Sequence, residues 1–190
     1  GRLGAVEVAT GLGAPHAVAW SDDGASAQLT DRNGRLLAVD LGTGTVQTLA
    51  AGLAAPLGLA VGSAGEAYLT EQGTGALTRI DPDGTRTTLL TGLAGPFLLA
   101  WADDARSLLL VTERAPVHRV GLVDVTDPAP VLKRLVGKGI PQPSQAIVCR
   151  DRLVVTGQSR LLSLDAAAGL EPGVRLLVPD EPLWPGGWVD

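Results

Sequence analysis

The sequence has little lysine and few aromatic residues, which together argue against a nucleic-acid-binding protein. Lys133 and Lys138 are the only lysines, charged residues make up 18% of the chain, and aromatic residues make up 3%. The formal net charge at pH 7 is −5, and the basic residues are mostly arginines scattered along the chain. A phosphate-binding surface needs clustered positive charge, and a base-stacking surface needs aromatic rings. We therefore expect no nucleic-acid partner.

Cysteine and long apolar runs are also scarce. Cys149 is the only cysteine, so the sequence predicts no disulfide bond within the chain, and its apolar neighbours favour a small buried side chain. No apolar run approaches the roughly 20 residues that a membrane-spanning helix needs, so no membrane partner is expected. Phosphate-binding loops, paired Cys-x-x-Cys motifs and a nucleophile elbow are absent too, which leaves a hydrolase triad without support.

The chain does contain an internal repeat. A Gly-Leu pair followed by a proline opens three units at Pro15, Pro56 and Pro96, at intervals of about 40 residues, and a looser unit opens at Pro143. Such a period, with several short strands in each unit, is typical of propeller blades. The sequence therefore predicts an all-β protein, a β-propeller of four-stranded antiparallel blades.

Two further landmarks recur in order inside each unit. The predicted second strands end in Thr30-Asp31, Thr70-Glu71, Thr112-Glu113 and Thr156-Gly157. That of the third unit is longer and is predicted over Arg106–Glu113. The predicted third strands end in Val39-Asp40, Ile80-Asp81, Val123-Asp124 and Leu164-Asp165. Gly, Pro and Asp residues mark the turns between them. We predict about four complete blades over residues 11–51, 52–91, 92–139 and 140–180, with partial blades over 1–10 and 181–190.

The two ends of the chain predict incomplete blades. Leu3–Ala9 resembles the outer strands of later units, and Leu183–Asp190, with Trp184 and Trp188, resembles the start of another inner strand. An open array leaves a sheet edge and a blade face uncovered, which soluble proteins avoid. We therefore expect residues 1–190 to be a single propeller domain or a fragment of one, completed by another propeller segment or by a second copy. Trp20 and Trp101 are expected to pack between blades.

The repeat resembles the NHL and YVTN class of propellers. The shared pattern is Pro-x-x-(Leu/Val/Ile)-Ala, then Gly, then (Tyr/Leu)-(Leu/Val)-Thr-(Asp/Glu), then an apolar strand that ends in Asp. The chain is similar in this respect to regucalcin-like and virginiamycin B lyase-like propellers, over about Leu3–Val178. These relatives include binding platforms, lactonases and lyases, so the resemblance implies a fold and leaves the activity open.

The resemblance also implies a site. In such propellers the inner strand starts, and the second strand ends, on the same face of the disc, around a central channel. That face would present these candidate ligand-binding residues: His16, Asp31, Glu71, Glu113, Ser144 and Gln145. A ring of carboxylates can hold a divalent cation, and regucalcin-like enzymes bind a metal at the channel mouth. Asp31, Glu71 and Glu113 are therefore the candidate metal ligands, for Ca²⁺ or Mg²⁺.

The same residues also fit a structural role. A Thr-Asp or Thr-Glu pair at a strand end often caps a turn, with the carboxylate accepting backbone N–H groups. His16, which follows a proline, fits a structural or surface histidine equally well.

Two functions follow from these alternatives. The sequence favours a non-catalytic binding or interaction module without a cofactor, part of a larger or multi-chain propeller, with a second copy, another propeller segment, a protein or a glycan as partner. The alternative is a metal-dependent lactonase or lyase at the channel mouth, in which His16 acts as general acid or base and Glu71 as the catalytic carboxylate.

Overall fold

The computed structural model describes residues 5–114, 116–136, 140–149, 152–158, 160–165 and 176–177. Within these ranges the chain is entirely strand and loop, so they hold no helix long and apolar enough to cross a membrane. The strands form four antiparallel sheets, each with its members in chain order. The predicted all-β, four-stranded blade architecture is confirmed.

The four sheets are the blades, numbered one to four along the chain. Blade one contains β1 (Pro15–Trp20), β2 (Ser26–Asp31), β3 (Arg35–Asp40) and β4 (Val46–Ala50). Blade two contains β5 (Pro56–Val61), β6 (Ala67–Glu71), β7 (Ala76–Ile80) and β8 (Arg86–Leu90). Blade three contains β9 (Pro96–Trp101), β10 (Leu108–Glu113), β11 (Arg119–Asp124) and β12 (Lys133–Val136). Blade four contains β13 (Gln145–Cys149), β14 (Arg152–Gly157), β15 (Arg160–Asp165) and β16 (Leu176–Leu177).

The first strand of each blade lies at the hub. Strand β5 contacts β1 on one side and β9 on the other, and β9 in turn contacts β13. The approach is so close at Gly58 that a Cβ there would lie 2.5 Å from the carbonyl oxygen of Phe97. Strand β5 therefore lies at the hub, between the inner strands of the blades on either side.

Successive blades pack face to face through apolar clusters. Each blade has a leading face toward the preceding blade and a trailing face toward the following one. Leu36, on the trailing face of blade one, packs with Leu59 and Leu69 on the leading face of blade two. Leu77 of blade two packs with Leu99 of blade three in the same manner. The alternation of strand side chains thus gives every interior blade two apolar faces.

The last interface and the first face complete the core. Leu110 and Val120 of blade three pack with Ala146 and Val155 of blade four. On blade one, the leading-face residues Leu29, Leu37 and Val39 form a cluster of their own, against which the preceding segment packs through Ala9 and Leu12. Each described blade therefore takes part in at least one apolar cluster.

Two predicted strands differ from the structure. The predicted second strand of blade three, Arg106–Glu113, begins only at Leu108, because the Asp103 carboxylate accepts the N–H groups of Ser107 and Leu108 and holds a turn there. The described part of the predicted outer strand Leu3–Ala9, residues 5–9, forms no strand. A strand needs a neighbouring strand for its backbone hydrogen bonds, and the sheet of blade one contains only β1 to β4, without residues 5–9.

Two predictions fall on residues that are not described. Leu183–Asp190, with Trp184 and Trp188, lies wholly outside the described ranges, and so does most of the connection between β15 and β16. The partial blade over residues 181–190 therefore stays a prediction.

Candidate functional site

The three predicted carboxylates are fully buried inside their own blades. Asp31, Glu71 and Glu113 each have 0% relative exposure. Each accepts the backbone N–H of a residue just before its own inner strand: Ala14 N–H donates to Asp31 Oδ1 (2.9 Å), Ala54 N–H to Glu71 Oε2 (2.7 Å) and Ala94 N–H to Glu113 Oε1 (2.6 Å). The hydrogen bonds of all three residues are therefore those of a turn-capping carboxylate.

An arginine of the same blade neutralises each carboxylate. Arg35 pairs with Asp31, and Arg119 pairs with Glu113 through its Nε and Nη2 atoms. Arg86 Nη2 lies 2.5 Å from Glu71 Oε1, and the Thr78 hydroxyl donates to the same oxygen at 2.6 Å. A buried carboxylate with a cation and several N–H or O–H donors has its charge well compensated. These contacts tie strand ends together within a blade.

The same contacts lower the pKa of two of these carboxyls. Burial alone would raise the pKa of Asp31, but N–H donation from Asn33 and Ala14 and the charge of Arg35 outweigh it and lower the pKa. For Glu71 burial is again the largest influence and opposes the shift, while Ala54, Thr78 and Arg86 together lower the pKa below 4.5. Both groups are therefore carboxylates at neutral pH.

We expect the free energy of unfolding to fall in acid. A carboxyl whose pKa is lower in the folded than in the unfolded state stabilises the fold above its unfolded pKa, and this stabilisation is lost as the pH falls through the folded value. Urea unfolding monitored by circular dichroism should show little change from pH 7 to about 5 and a steep loss below about 4. Glu71→Gln should flatten this dependence, and an unchanged profile in that variant would contradict the assignment.

The threonine before each carboxylate links one blade to the next. The hydroxyls of Thr30 and Thr70 donate to the carbonyl oxygens of Leu57 and Phe97 at 2.8 and 2.7 Å. The hydroxyl of Thr112 reaches the carbonyl oxygen of Ser144 at 3.1 Å, the same distance as to that of Leu98 in its own blade. Leu57, Phe97 and Ser144 each follow the proline that opens the following blade. In the first three blades the hydroxyl also accepts an N–H from the inner strand of its own blade, those of Ala17, Gly58 and Leu98.

A β-bulge in the inner strand frees the N–H group that the threonine hydroxyl accepts within its own blade. The pairing of β1 with β2 shifts register between Pro15 and Val18, and the inner strands of blades two and three show a shift at the same place. A bulge leaves an extra residue outside the ladder, and the threonine hydroxyl satisfies the N–H that is left over. Thr therefore recurs at this position because its hydroxyl bonds both to the bulge of its own blade and to the next blade.

The mouth of the array is lined by the residues that follow the opening prolines. At this position stand His16, Leu57, Phe97 and Ser144. His16 is exposed, its Nδ1 lies 3.3 Å from the carbonyl oxygen of Leu57, and its ring meets the Phe97 ring edge-on at 5.4 Å. We call His16, Phe97, Ser144 and the adjoining Arg114 the mouth cluster.

Arg114 contacts two residues of the mouth cluster. Its guanidinium carbon lies 3.4 Å from the centroid of the Phe97 ring, and its Nη2 donates to Ser144 Oγ at 2.7 Å. Gln145, also predicted at the site, is exposed and donates its backbone N–H to Thr156. The structure thus brings His16 and Ser144 into one cluster through Phe97 and Arg114.

The predicted acids do not join that cluster. Within the described ranges, His, Cys, Asp and Glu side chains nowhere gather in threes at a spacing that would hold a metal ion. The sequence reasoning missed Phe97 and Arg114, although Arg114 directly follows the Glu113 landmark and Phe97 stands at the position of His16. The repeat register alone would have placed both at the mouth.

A cavity of about 470 Å³ lies elsewhere, at the other end of β9. Its lining includes Trp101, Asp103, Asp104 and Arg106. The polar groups there already serve the fold, since Asp103 holds the turn before β10 and Arg106 pairs with Asp22 of blade one. This cavity therefore contains none of the predicted site residues.

The fold resembles several solved β-propellers at low sequence identity. A chain of a nidogen/laminin complex is 22% identical, with a TM-score of 0.71, over 83% of this chain and 62% of that one. A gluconolactonase from Xanthomonas campestris is 20% identical, with a TM-score of 0.68, over 80% and 58%. A streptogramin B lyase is 19% identical, with a TM-score of 0.64, over 80% and 50%. The chain thus spans between half and two thirds of these proteins.

Other comparisons gave nothing: no protein-family model and no curated protein matches the sequence. At these identities the structural likeness establishes the fold and leaves the activity open. The blades of this chain have the β-propeller fold that the gluconolactonase and lyase structures share, as the repeat predicts.

Proposed function

We propose that this chain is a non-catalytic β-propeller interaction module whose two open blade faces bind further propeller blades. The proposal rests on a difference in solvent exposure between residues at the same positions of the repeat. Val18 and Trp20 on the leading face of blade one are 59% and 60% exposed, whereas Leu59 and Val61 at the same positions of blade two are 6% and 7% exposed. The segment before β1 covers the outer part of this face, so only the part at the inner strand is open, and a preceding blade would cover Val18 and Trp20 there.

The trailing face of blade four is open in the same way. Ile147 and Leu161 are 43% and 50% exposed. The residues equivalent to Leu161 in the earlier blades, Leu36, Leu77 and Val120, are each 0% exposed. Large apolar groups grouped on one face mark an interaction surface. Leading and trailing faces already pack on each other three times within the chain, so a further blade could use the same mode of packing.

The threonine contacts support the same partner. Thr30, Thr70 and Thr112 each donate to the next blade, whereas Thr156 is exposed and its hydroxyl contacts only Gln145 among the described residues. At the other end of the array, the carbonyl oxygen of His16 occupies the repeat position at which those of Leu57, Phe97 and Ser144 accept a hydrogen bond from the preceding blade. A blade on either side would complete this chain of contacts, which favours a second copy of the chain or another propeller segment over an unrelated protein or a glycan.

The metal-dependent lactonase or lyase is the weaker alternative. It needs Asp31, Glu71 and Glu113 as metal ligands, but each is buried and bound to an arginine. The similar structures include both enzymes and a chain of the nidogen/laminin complex, so they favour neither function.

Light scattering after size exclusion tests the module. We expect a mass that rises above that of one chain as the concentration increases toward about 100 μM, an affinity range common for weak assemblies. Trp20→Arg and Ile147→Arg should each reduce the association, because each places a charge in an apolar contact. Val131→Arg is the matched control, since Val131 is 57% exposed and lies on neither face. A strictly monomeric wild-type chain would contradict the proposal.

A further inference from the structure

Arg114 is partly buried but has no carboxylate partner, unlike five other arginines of the described residues. In the same part of the chain Arg152 also lacks such a partner, but its Nε donates to Ser163 Oγ. Arg35, Arg86 and Arg119 each pair with a buried carboxylate, and Arg79 and Arg106 pair with Asp81 and Asp22. Among the described residues, Arg114 has one side-chain hydrogen bond, to Ser144 Oγ, and its buried Nε has no acceptor. A guanidinium carries five N–H donors. The one on Nε is buried and out of a ligand's reach, and three of the four on the two terminal nitrogens have no acceptor among the described residues.

The position of Arg114 in the repeat places its unused N–H donors at the mouth of the array. Its backbone N–H donates to the carbonyl oxygen of Gly95, before the inner strand of its own blade. The same backbone contact recurs for Arg32, Gln72 and Gln158, which occupy the equivalent position in the other blades. This rim position therefore carries an N–H-donating side chain in every blade, and the acid beside it in the first three blades is buried and paired.

Stacking fixes the guanidinium of Arg114. It lies over the Phe97 ring at 3.4 Å, and the Ser144 hydroxyl holds one end at 2.7 Å. A cation that is stacked on an aromatic ring and partly desolvated attracts an anion more strongly than a fully hydrated one. Holding the side chain in place also removes part of the entropy lost when a ligand binds.

We propose that the mouth cluster is a binding site for a small carboxylate-bearing molecule, with Arg114 as its main ligand-binding residue. The planar guanidinium matches the two oxygens of a carboxylate. The hydroxyl proton of Ser144 remains available because Ser144 Oγ accepts from Arg114, and the exposed imidazole of His16 adds a polar edge at the same ring. The site selects an anion, the opposite of the divalent cation that a ring of acids would bind. The contacts of Arg114 with Phe97 and Ser144 are complete within blades three and four, and of this cluster only the backbone carbonyl of His16 would meet a preceding blade.

Imidazole ¹⁵N–¹H spectra of the whole chain test this site, because the two histidines, His16 and His118, report on different places. His118 accepts the N–H of Gln142 between blades three and four and serves as an internal reference. With citrate as probe at up to about 10 mM, where millimolar binding is measurable, we expect the His16 signal to shift and that of His118 to stay. Inorganic phosphate and calcium chloride are titrated in parallel, and only citrate is expected to bind with substantial affinity.

Arg114→Gln should weaken citrate binding at least about tenfold, the effect of losing one charge-assisted pair. Ser144→Ala, which removes only the hydroxyl that holds Arg114, should weaken it less. Arg79→Gln, which removes the same charge away from the mouth, should leave the affinity unchanged. The proposal is overturned if citrate does not shift His16, if phosphate binds as tightly as citrate, if calcium binds instead, or if Arg79→Gln weakens binding as much as Arg114→Gln. The oligomeric state is unaffected by any of these outcomes.

Discussion

Glu71→Ala is expected to lower the free energy of unfolding by about 3 kcal/mol, the loss typical of removing a buried charged group with several hydrogen bonds. The substitution leaves the N–H of Ala54 and the hydroxyl of Thr78 without their acceptor. Arg86 contributes less, because its side chain is 40% exposed and water can replace the carboxylate. Urea unfolding at pH 7 measures the difference.

Asp83→Ala is the matched control for Glu71→Ala. Asp83 lies in the same blade and accepts the N–H of Thr85, but at an exposed turn, so its loss should have a much smaller effect. If Glu71→Ala unfolded at the same urea concentration as the wild-type chain, the carboxylate would not serve the fold. The metal site predicted from the sequence would then regain support, and calcium titration of Asp31→Ala and Glu71→Ala would be the measurement to make.

Trp101→Ala is expected to lower the free energy of unfolding by about 3 kcal/mol, the lower end of the range for removing a large aromatic side chain, because Trp101 is partly buried. The Trp101 ring meets Tyr68 of blade two edge-on at 5.2 Å, and its Nε1 donates to the carbonyl oxygen of Val61 at 2.9 Å. The substitution would therefore remove an apolar contact and a hydrogen bond between two blades.

Trp20 provides the comparison for Trp101. It stands at the same position of the repeat but is 60% exposed on the open face of blade one, so Trp20→Ala should change the stability by less than about 1 kcal/mol. At concentrations where the chain is a monomer, equal losses in the two variants would mean that Trp20 is already covered, which contradicts an open leading face.

Most of the fold was predictable from the sequence, because the landmarks are local. Proline before an inner strand, Thr-Asp or Thr-Glu at the end of a second strand and Asp at the end of a third each mark a boundary within a residue or two. The late start of the predicted strand Arg106–Glu113, at Leu108, was not predictable, since it depends on side-chain contacts of Asp103 and on the positive φ of Arg106 (53°). The packing of Trp101 was predicted correctly, while Trp20 lacks the neighbour that the same reasoning assumed.

Less of the candidate site was predictable, because the partners of the acids stand at different distances along the chain. Arg35 follows Asp31 closely on the next strand, but Arg86, which pairs with Glu71, comes from the fourth strand of its blade. No single sequence spacing predicts these ion pairs, so from the sequence alone the acids also fitted a metal site. The position of Arg114 over Phe97 depends on how the segment after β10 meets the inner strand β9, and only the structure reveals it.

Each sheet is a meander of consecutive hairpins, and this order has a consequence for how the molecule comes apart. A blade is complete within one stretch of chain, and it exchanges contacts chiefly with the blades beside it, as in repeat proteins whose stability is a sum over neighbours. Fluctuations that open the structure therefore begin at the outermost blades, and the interior, sandwiched on both sides, resists longest. Local stability is thus graded along the polypeptide, with its maximum near the middle.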